Sequence, residues 1–208
     1  MTEFWESSFR DKQTMWGFEP ADSAIETASL FQHHGLKKVL IPGFGYGRNA
    51  KIFIDSGCDV TGIEISETAI DLARKYYGDN IKVFHGSVSV MPFDKESYDG
   101  IFCYALIHLL DEKERAKLIS DCYNQLRPGG YMVFVTISTS DNAYGNGERL
   151  SKDRFLTRHG VNLFFYNQES ITSEFGEYGL LETKEIEEPA KNVESRPAQK
   201  FWQIVCKK

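Results

Sequence analysis

From residue 36 onward, short apolar or β-branched runs alternate with segments whose apolar positions recur at helical spacing, the pattern of a parallel sheet built from βα units. Residues 38–41 read as a first strand. It runs into a glycine-rich turn and then a helix through Ile54 that stops near Gly57, a residue suited to the left-handed position after a helix end. Residues 59–65 read as a second strand, followed by a helix from about Ser66 with Ile70, Ala73 and Tyr77 on its sheet side. Residues 81–85 form a third strand leading into a loop around Met91-Pro92-Phe93. Residues 99–104 form a fourth, apolar enough to be covered on both faces. Asp111 and Glu114 have the spacing of a capping box and open a helix whose stripe is Ile119, Cys122 and Leu126, ended by Pro128-Gly129-Gly130. Residues 131–137 are the fifth strand.

The pattern then changes. Residues 138–158 are polar, rich in Asp, Asn and Gly, and lack a sustained apolar period, so a long loop or lid is expected there. A helix over about 168–178, a strand near 181–186, a charged Glu/Pro/Lys-rich connection and a last strand at 201–206 close the chain, the two strands read as an antiparallel pair. The first 35 residues are expected to form helices lying over the open end of the fold. The 208 residues suit one α/β domain, with residues 1–35 as a helical cap and 138–165 as a substrate-side loop or lid.

Composition narrows the function. A formal charge of -6 argues against the electropositive surface that binding a nucleic acid backbone needs. Apolar runs stop well short of the roughly 20 residues that span a bilayer, and the N-terminal residues lack a signal-peptide core, which predicts a cytoplasmic protein. Cys58, Cys103, Cys122 and Cys206 are scattered and no His pair has metal-ligand spacing, so the cysteines read as small hydrophobes and no metal is expected.

The candidate chemistry lies in Val39-Leu40-Ile41-Pro42-Gly43-Phe44-Gly45-Tyr46-Gly47-Arg48-Asn49, a strand entering glycines at alternate positions and then a helix. Such a turn admits a ligand where a Cβ would collide and presents N–H groups at a helix start. Its spacing is GxGxG; Arg48 occupies the place where the dinucleotide pattern needs a small residue, and no Gly-Lys-Ser/Thr follows as in a phosphate-binding loop. Glu64 ends the second apolar run about 20 residues later, where a carboxylate can accept hydrogen bonds from both hydroxyls of a ribose.

Together these residues resemble the class I S-adenosylmethionine-dependent methyltransferase family. Gly86-Ser87-Val88, Met91-Pro92-Phe93, Ser97-Tyr98-Asp99 and Leu126-Arg127-Pro128-Gly129-Gly130 add to the likeness, which covers roughly residues 39–137. The resemblance implies a Rossmann-like, doubly wound, mostly parallel seven-stranded α/β sheet with an antiparallel C-terminal strand pair and N-terminal capping helices. It implies S-adenosylmethionine (SAM) as cofactor and S-adenosylhomocysteine (SAH) as product. Gly43 and Gly45 would cradle the methionine part, Glu64 the ribose and Ser87 and Val88 the adenine, with Phe44, Ile65 and Tyr104 lining the pocket; apart from the resemblance, Trp16 is an aromatic that could close over the cofactor and offer its face to the sulfonium. Ile41 stands where many members carry an acid, and Ser87 where an acid often faces the adenine amine. Pro42-Gly43 resembles the thiopurine and thiol methyltransferase branch, and the stretch from Asp141 to Tyr166 that of the tellurite-resistance methyltransferases.

Because such a cofactor carries an activated group, a dedicated base is optional: a thiolate or chalcogenide needs none, an alcohol or ammonium does. His108 and Tyr144 are the candidate catalytic residues, and His159 a further one beside the loop. A lid of Phe4-Trp5, Trp16 and residues 138–158 favours a small, partly apolar acceptor, served by a monomer or homodimer without nucleic acid or membrane. Two alternatives remain, a SAM- or SAH-binding sensor or inactive subunit and, with the same fold, an NAD-dependent oxidoreductase.

Overall fold

Seven of the runs join into one sheet. The computed structural model describes residues 2–79, 81–189 and 197–208. The sheet strands are β1 (Lys38–Pro42), β2 (Asp59–Glu64), β3 (Lys82–His85), β4 (Tyr98–Tyr104), β5 (Leu126–Ile137), β9 (Leu180–Glu188) and β10 (Gln199–Lys207). Their order is β3-β2-β1-β4-β5-β10-β9. The first five are parallel, while β10 lies antiparallel to both β5 and β9. Strand order reverses between β1 and β4, so the crevice that open α/β sheets use for ligands falls at their carboxyl ends.

Alternation along β5 shows how the sheet is covered. Tyr131, Val133, Val135 and Ile137 enter one apolar cluster, and Met132 and Phe134 the other. The first cluster lies under α2 (Asp22–His33) and α3 (Ala50–Asp55), the second under α5 (Glu112–Gln125) and α6 (Gln168–Phe175). Gly100 lets α2 approach: a Cβ there would sit 2.7 Å from Cδ2 of Phe31. Both the Asp111–Glu114 capping box and the Ser66 cap of α4 (Glu67–Tyr77) form as the sequence implies. At the N-terminus α1 (Thr2–Lys12) packs on α4.

Three differences from the sequence reading have physical causes. Helix α5 ends at Gln125, ahead of Pro128-Gly129-Gly130, because Leu126 already pairs with Tyr98 as the start of β5. The segment expected to be a loop folds as a second, antiparallel sheet, β6 (Glu148–Ser151), β7 (Arg154–Leu156) and β8 (Asn162–Phe164). Strands of three or four residues are too short to display an apolar alternation, and they are joined by turns with positive φ at Asp153 and Gly160. The charged connection between β9 and β10 falls mainly on residues 190–196, outside the described residues. Among the described residues no helix is long and apolar enough to cross a membrane. All four cysteines are free; Cys103, Cys122 and Cys206 are buried and Cys58 half-buried.

Candidate active site

The two sequence signals meet at the carboxyl ends of β1 and β2. Gly43, Gly45 and Gly47 adopt φ of 71°, 58° and 84°, a region that favours glycine. The Glu64 side chain turns back under this turn. Its Oε2 accepts from the Gly45 N–H at 2.7 Å, and Oε1 accepts from the N–H groups of Ile65 and Ser66, each at 2.9 Å. Glu64 is only 6% exposed. Burial raises its pKa above the ordinary carboxylate range, while the three N–H donors pull the other way.

The turn uses most of its own amides. The N–H groups of Gly43 and Phe44 both donate to the Ile63 carbonyl, and that of Gly47 to the Phe44 carbonyl. A ligand would therefore be received through close approach to the backbone and through Glu64, rather than through a row of free N–H groups. Phe44 points inward, packed on Gly62, and Tyr77 braces the turn from α4 by donating to the Gly47 carbonyl at 2.7 Å. A Cβ on Gly62 would lie 2.6 and 2.9 Å from Cγ and Cβ of Phe44. Gly62→Ala is thus expected to push the turn out of place and destabilise the fold by about 2 kcal/mol, typical of overpacking, measured by urea denaturation.

The N-terminal segment covers this turn. Glu6 on α1 accepts from Ser66 Oγ at 2.6 Å and from Thr68, placing a carboxylate at the N-terminus of α4. Those hydroxyls, Ser66 first and then Thr68, hold its pKa below the ordinary value. Phe9 is buried over Gly45, and the Trp16 ring stacks on Tyr46 with centroids 6.3 Å apart. Tyr46 donates to the Gly17 carbonyl at 2.7 Å and accepts from the Trp16 N–H at 3.2 Å. Trp16 itself remains 39% exposed, and Leu106, after β4, lies over Gly43.

Ser87 caps a 3-10 turn whose Val88 is buried, and Ile65 follows Glu64 with its carbonyl 3.1 Å from Nε2 of His85. Tyr104 ends β4. The Arg48 guanidinium lies 5.6 Å from its ring centroid, and burial with the charge of Glu188 pushes its phenol well up. Glu188, at the end of β9, was not evident from sequence. Its buried carboxylate accepts from the Ser23 N–H at 2.6 Å at the start of α2, while its Oε2 and Ser23 Oγ, both fully buried, have no partner among the described residues.

The candidate bases lie apart from one another. His108 sits in a 3-10 turn after β4, 6% exposed, with Nδ1 at 3.2 Å from the Ile137 N–H and 3.3 Å from Thr136 Oγ1. Burial lowers its pKa to about 3. Tyr144 is in the second sheet's neighbourhood, donating to Asp153 at 2.7 Å with its ring against Phe155 and Phe165. His159 is exposed on the turn between β7 and β8.

The groups fit a nucleoside bearing an amino-acid arm. Glu64 receives three donors where its two oxygens offer about four acceptor positions, which leaves room at Oε2 for a hydroxyl. Glycine at 43, 45 and 47 leaves those positions of the turn without a Cβ, and the buried Glu188 carboxylate stands beside Tyr104 at the same end of the sheet.

The chain is similar to known methyltransferases in sequence and in fold. Residues 40–134 match the family described as "Methyltransferase domain". Ubiquinone biosynthesis O-methyltransferase of Coxiella burnetii is 30% identical over 111 residues, 52% of this chain and 47% of that protein. A tRNA N(3)-methylcytidine methyltransferase of Drosophila melanogaster is 24% identical over 178 residues, 80% of this chain and 53% of that one. The chain thus spans about half the length of these curated relatives. Among solved structures, the 1,6-didemethyltoxoflavin-N1-methyltransferase of Burkholderia thailandensis, determined with SAH, superposes with a TM-score of 0.73 at 18% identity, covering 100% of this chain and 86% of that one. TehB of Haemophilus influenzae gives 0.67 at 20%, covering 98% and 67%.

Proposed function

We propose that this chain, whose residues 40–134 match the methyltransferase domain family, is a class I SAM-dependent methyltransferase that binds SAM at its glycine turn and methylates a small-molecule acceptor. The observation that carries the reading is the junction of Gly45 and Glu64, where a buried carboxylate with acceptor capacity to spare lies under a turn with glycine at every second position. Glu64 would accept a ribose hydroxyl, Gly43 and Gly45 would lie against the methionine part, and Ser87 and Val88 against the adenine. Trp16 and Tyr104 would close the sides, and Phe44 and Ile65 would support the turn and the ribose edge.

When bound, SAM supplies a methyl group already activated on a sulfonium; the protein contributes orientation and exclusion of water. Exclusion falls to the N-terminal cap and to Leu106 after β4, since Phe9, Trp16 and Leu106 cover the turn. A net charge of -6 disfavours a polyanionic acceptor, although one relative acts on tRNA. Four free cysteines suit a reducing compartment, the cytoplasm.

Calorimetric titration with SAM and SAH, beside an NAD control, tests the cofactor. Micromolar binding of SAM and SAH with none of NAD is expected. Transfer of radiolabelled methyl to a panel of phenols, thiols, carboxylates and ring nitrogens then tests the reaction. Binding without transfer to any of them would favour a sensor, and NAD binding alone an oxidoreductase.

A further inference from the structure

Two nitrogens of one buried imidazole have different fates, and the backbone decides which. The Ile137 N–H, at the end of β5, lies 3.2 Å from Nδ1 of His108. A peptide N–H can only donate, so Nδ1 must accept with its lone pair and carries no proton. In the neutral ring the proton is then on Nε2. Thr136 Oγ1, at 3.3 Å from Nδ1, completes the pair around the same nitrogen.

Nε2 is left over. Among the described residues no hydrogen-bond partner meets it, whereas Nδ1 is met twice. Among the described residues the fully buried side-chain polar atoms without a partner are Ser23 Oγ, Thr61 Oγ1, Gln125 Oε1 and Glu188 Oε2. Nε2 of His108 is not one of them, so it keeps some accessible surface although the residue is 6% exposed. The ring follows β4 and packs against the end of β5, at the carboxyl rim of the sheet and next to Leu106, which lies over Gly43.

We infer that His108 serves the site as a fixed Nε2–H hydrogen-bond donor rather than as a base, and that it selects acceptor molecules presenting a lone pair there: a phenolate, carboxylate, carbonyl or aromatic ring nitrogen. An ammonium facing the same atom would meet donor against donor. Protonating the ring would break the Ile137 bond and bury a charge that no neighbouring carboxylate offsets; burial is the sole cause acting on its pKa. The inference rests on the methyl-transfer reading only for what the donor meets, since the tautomer is a property of the protein alone.

The test is long-range ¹H–¹⁵N spectroscopy of protein labelled at histidine ring nitrogens, with His108 assigned by its disappearance in H108Q and by proximity to the Ile137 amide. The second route keeps the assignment independent of whether the variant folds. A neutral Nε2–H tautomer unchanged between about pH 5 and pH 8, where ordinary histidines titrate, is expected. An Nδ1–H tautomer or a midpoint inside that window overturns the inference. Adding 4-nitrophenolate or acetate, with and without SAH, is expected to shift the Nε2 proton, and benzylamine to leave it in place. No response to the anions, or a response to the amine instead, overturns the donor role. A protein that fails to bind SAH would defeat the methyltransferase reading and leave the tautomer measurement standing.

Discussion

Glu64→Gln is expected to weaken SAM and SAH binding at least ~100-fold while the protein still folds, and Glu64→Ala to abolish binding and cost about 3 kcal/mol of stability, the scale of leaving several buried donors unmet. The isosteric amide can place its oxygen toward the N–H groups of Ile65 and Ser66, which approach one side of the carboxylate. Its NH2 then faces the Gly45 N–H, donor against donor, at the contact that joins the turn to β2. Alanine leaves all three amides without an acceptor. Calorimetry reads the affinity and thermal melting the stability. Gln binding as tightly as Glu would make this carboxylate a clamp for the loop and nothing more.

The same residue predicts a pH dependence with two opposed signs. Burial raises the folded-state pKa of Glu64 above its unfolded value. Its contribution to stability is therefore fully present below the unfolded pKa and lost as pH rises through the raised folded value. Accepting a ribose hydroxyl is favoured by the ionised form, so affinity should fall as the solution is acidified through that raised pKa. The unliganded protein should gain stability from Glu64 over the interval in which it loses affinity. In Glu64→Gln both dependences should vanish together.

What could be read without coordinates was what chemistry confines to short spans. The glycine turn, the carboxylate one strand later and the Asp111–Glu114 cap are spacings of at most about twenty residues, and each survives as a contact in the fold. Glu188 could not be read, because its partners Ser23 and Tyr104 lie far from it in sequence and its own surroundings look like a charged loop. Glu6 was hidden for a related reason: on a helix rich in polar residues, nothing marks the one carboxylate that reaches Ser66 and Thr68. His108 could be placed near the site from its distance to Tyr104, but its role depends on which nitrogen a backbone amide approaches. That depends on the pairing of β4 with β5, which brings the end of one strand beside the turn after the other.

The largest expected loss of stability lies away from the glycine turn, in the bond that fastens the second sheet. Arg115 on α5 has a side chain 5% exposed. It meets Glu174 on α6, 18% exposed, through Nε at 3.1 and 3.2 Å and Nη2 at 2.7 Å. Its guanidinium lies 3.8 Å from the centroid of Phe164 on β8. Tyr166 donates to the second carboxylate oxygen at 2.7 Å, and burial with the charge of Glu174 pushes its phenol well up, so it remains a donor. Removing one partner leaves the other charged and largely dry, which costs about 3 to 5 kcal/mol in such pairs. For a domain of this size that is roughly 10 °C of melting temperature. Arg115→Met and Glu174→Gln should each show a loss on this scale, the arginine variant the greater because it also surrenders the stacking on Phe164. The double variant Arg115→Met/Glu174→Met should recover most of it, since apolar groups of similar volume fill the place without a stranded charge. Because neither residue approaches Gly45 or Glu64, SAM affinity at low temperature should stay within about threefold of the parent while methyl transfer falls, if the second sheet shapes the acceptor side. Single variants that lose less than about 1 kcal/mol would mean that water reaches the pair and that the packing of Phe164 and Tyr166 alone holds this sheet to the domain.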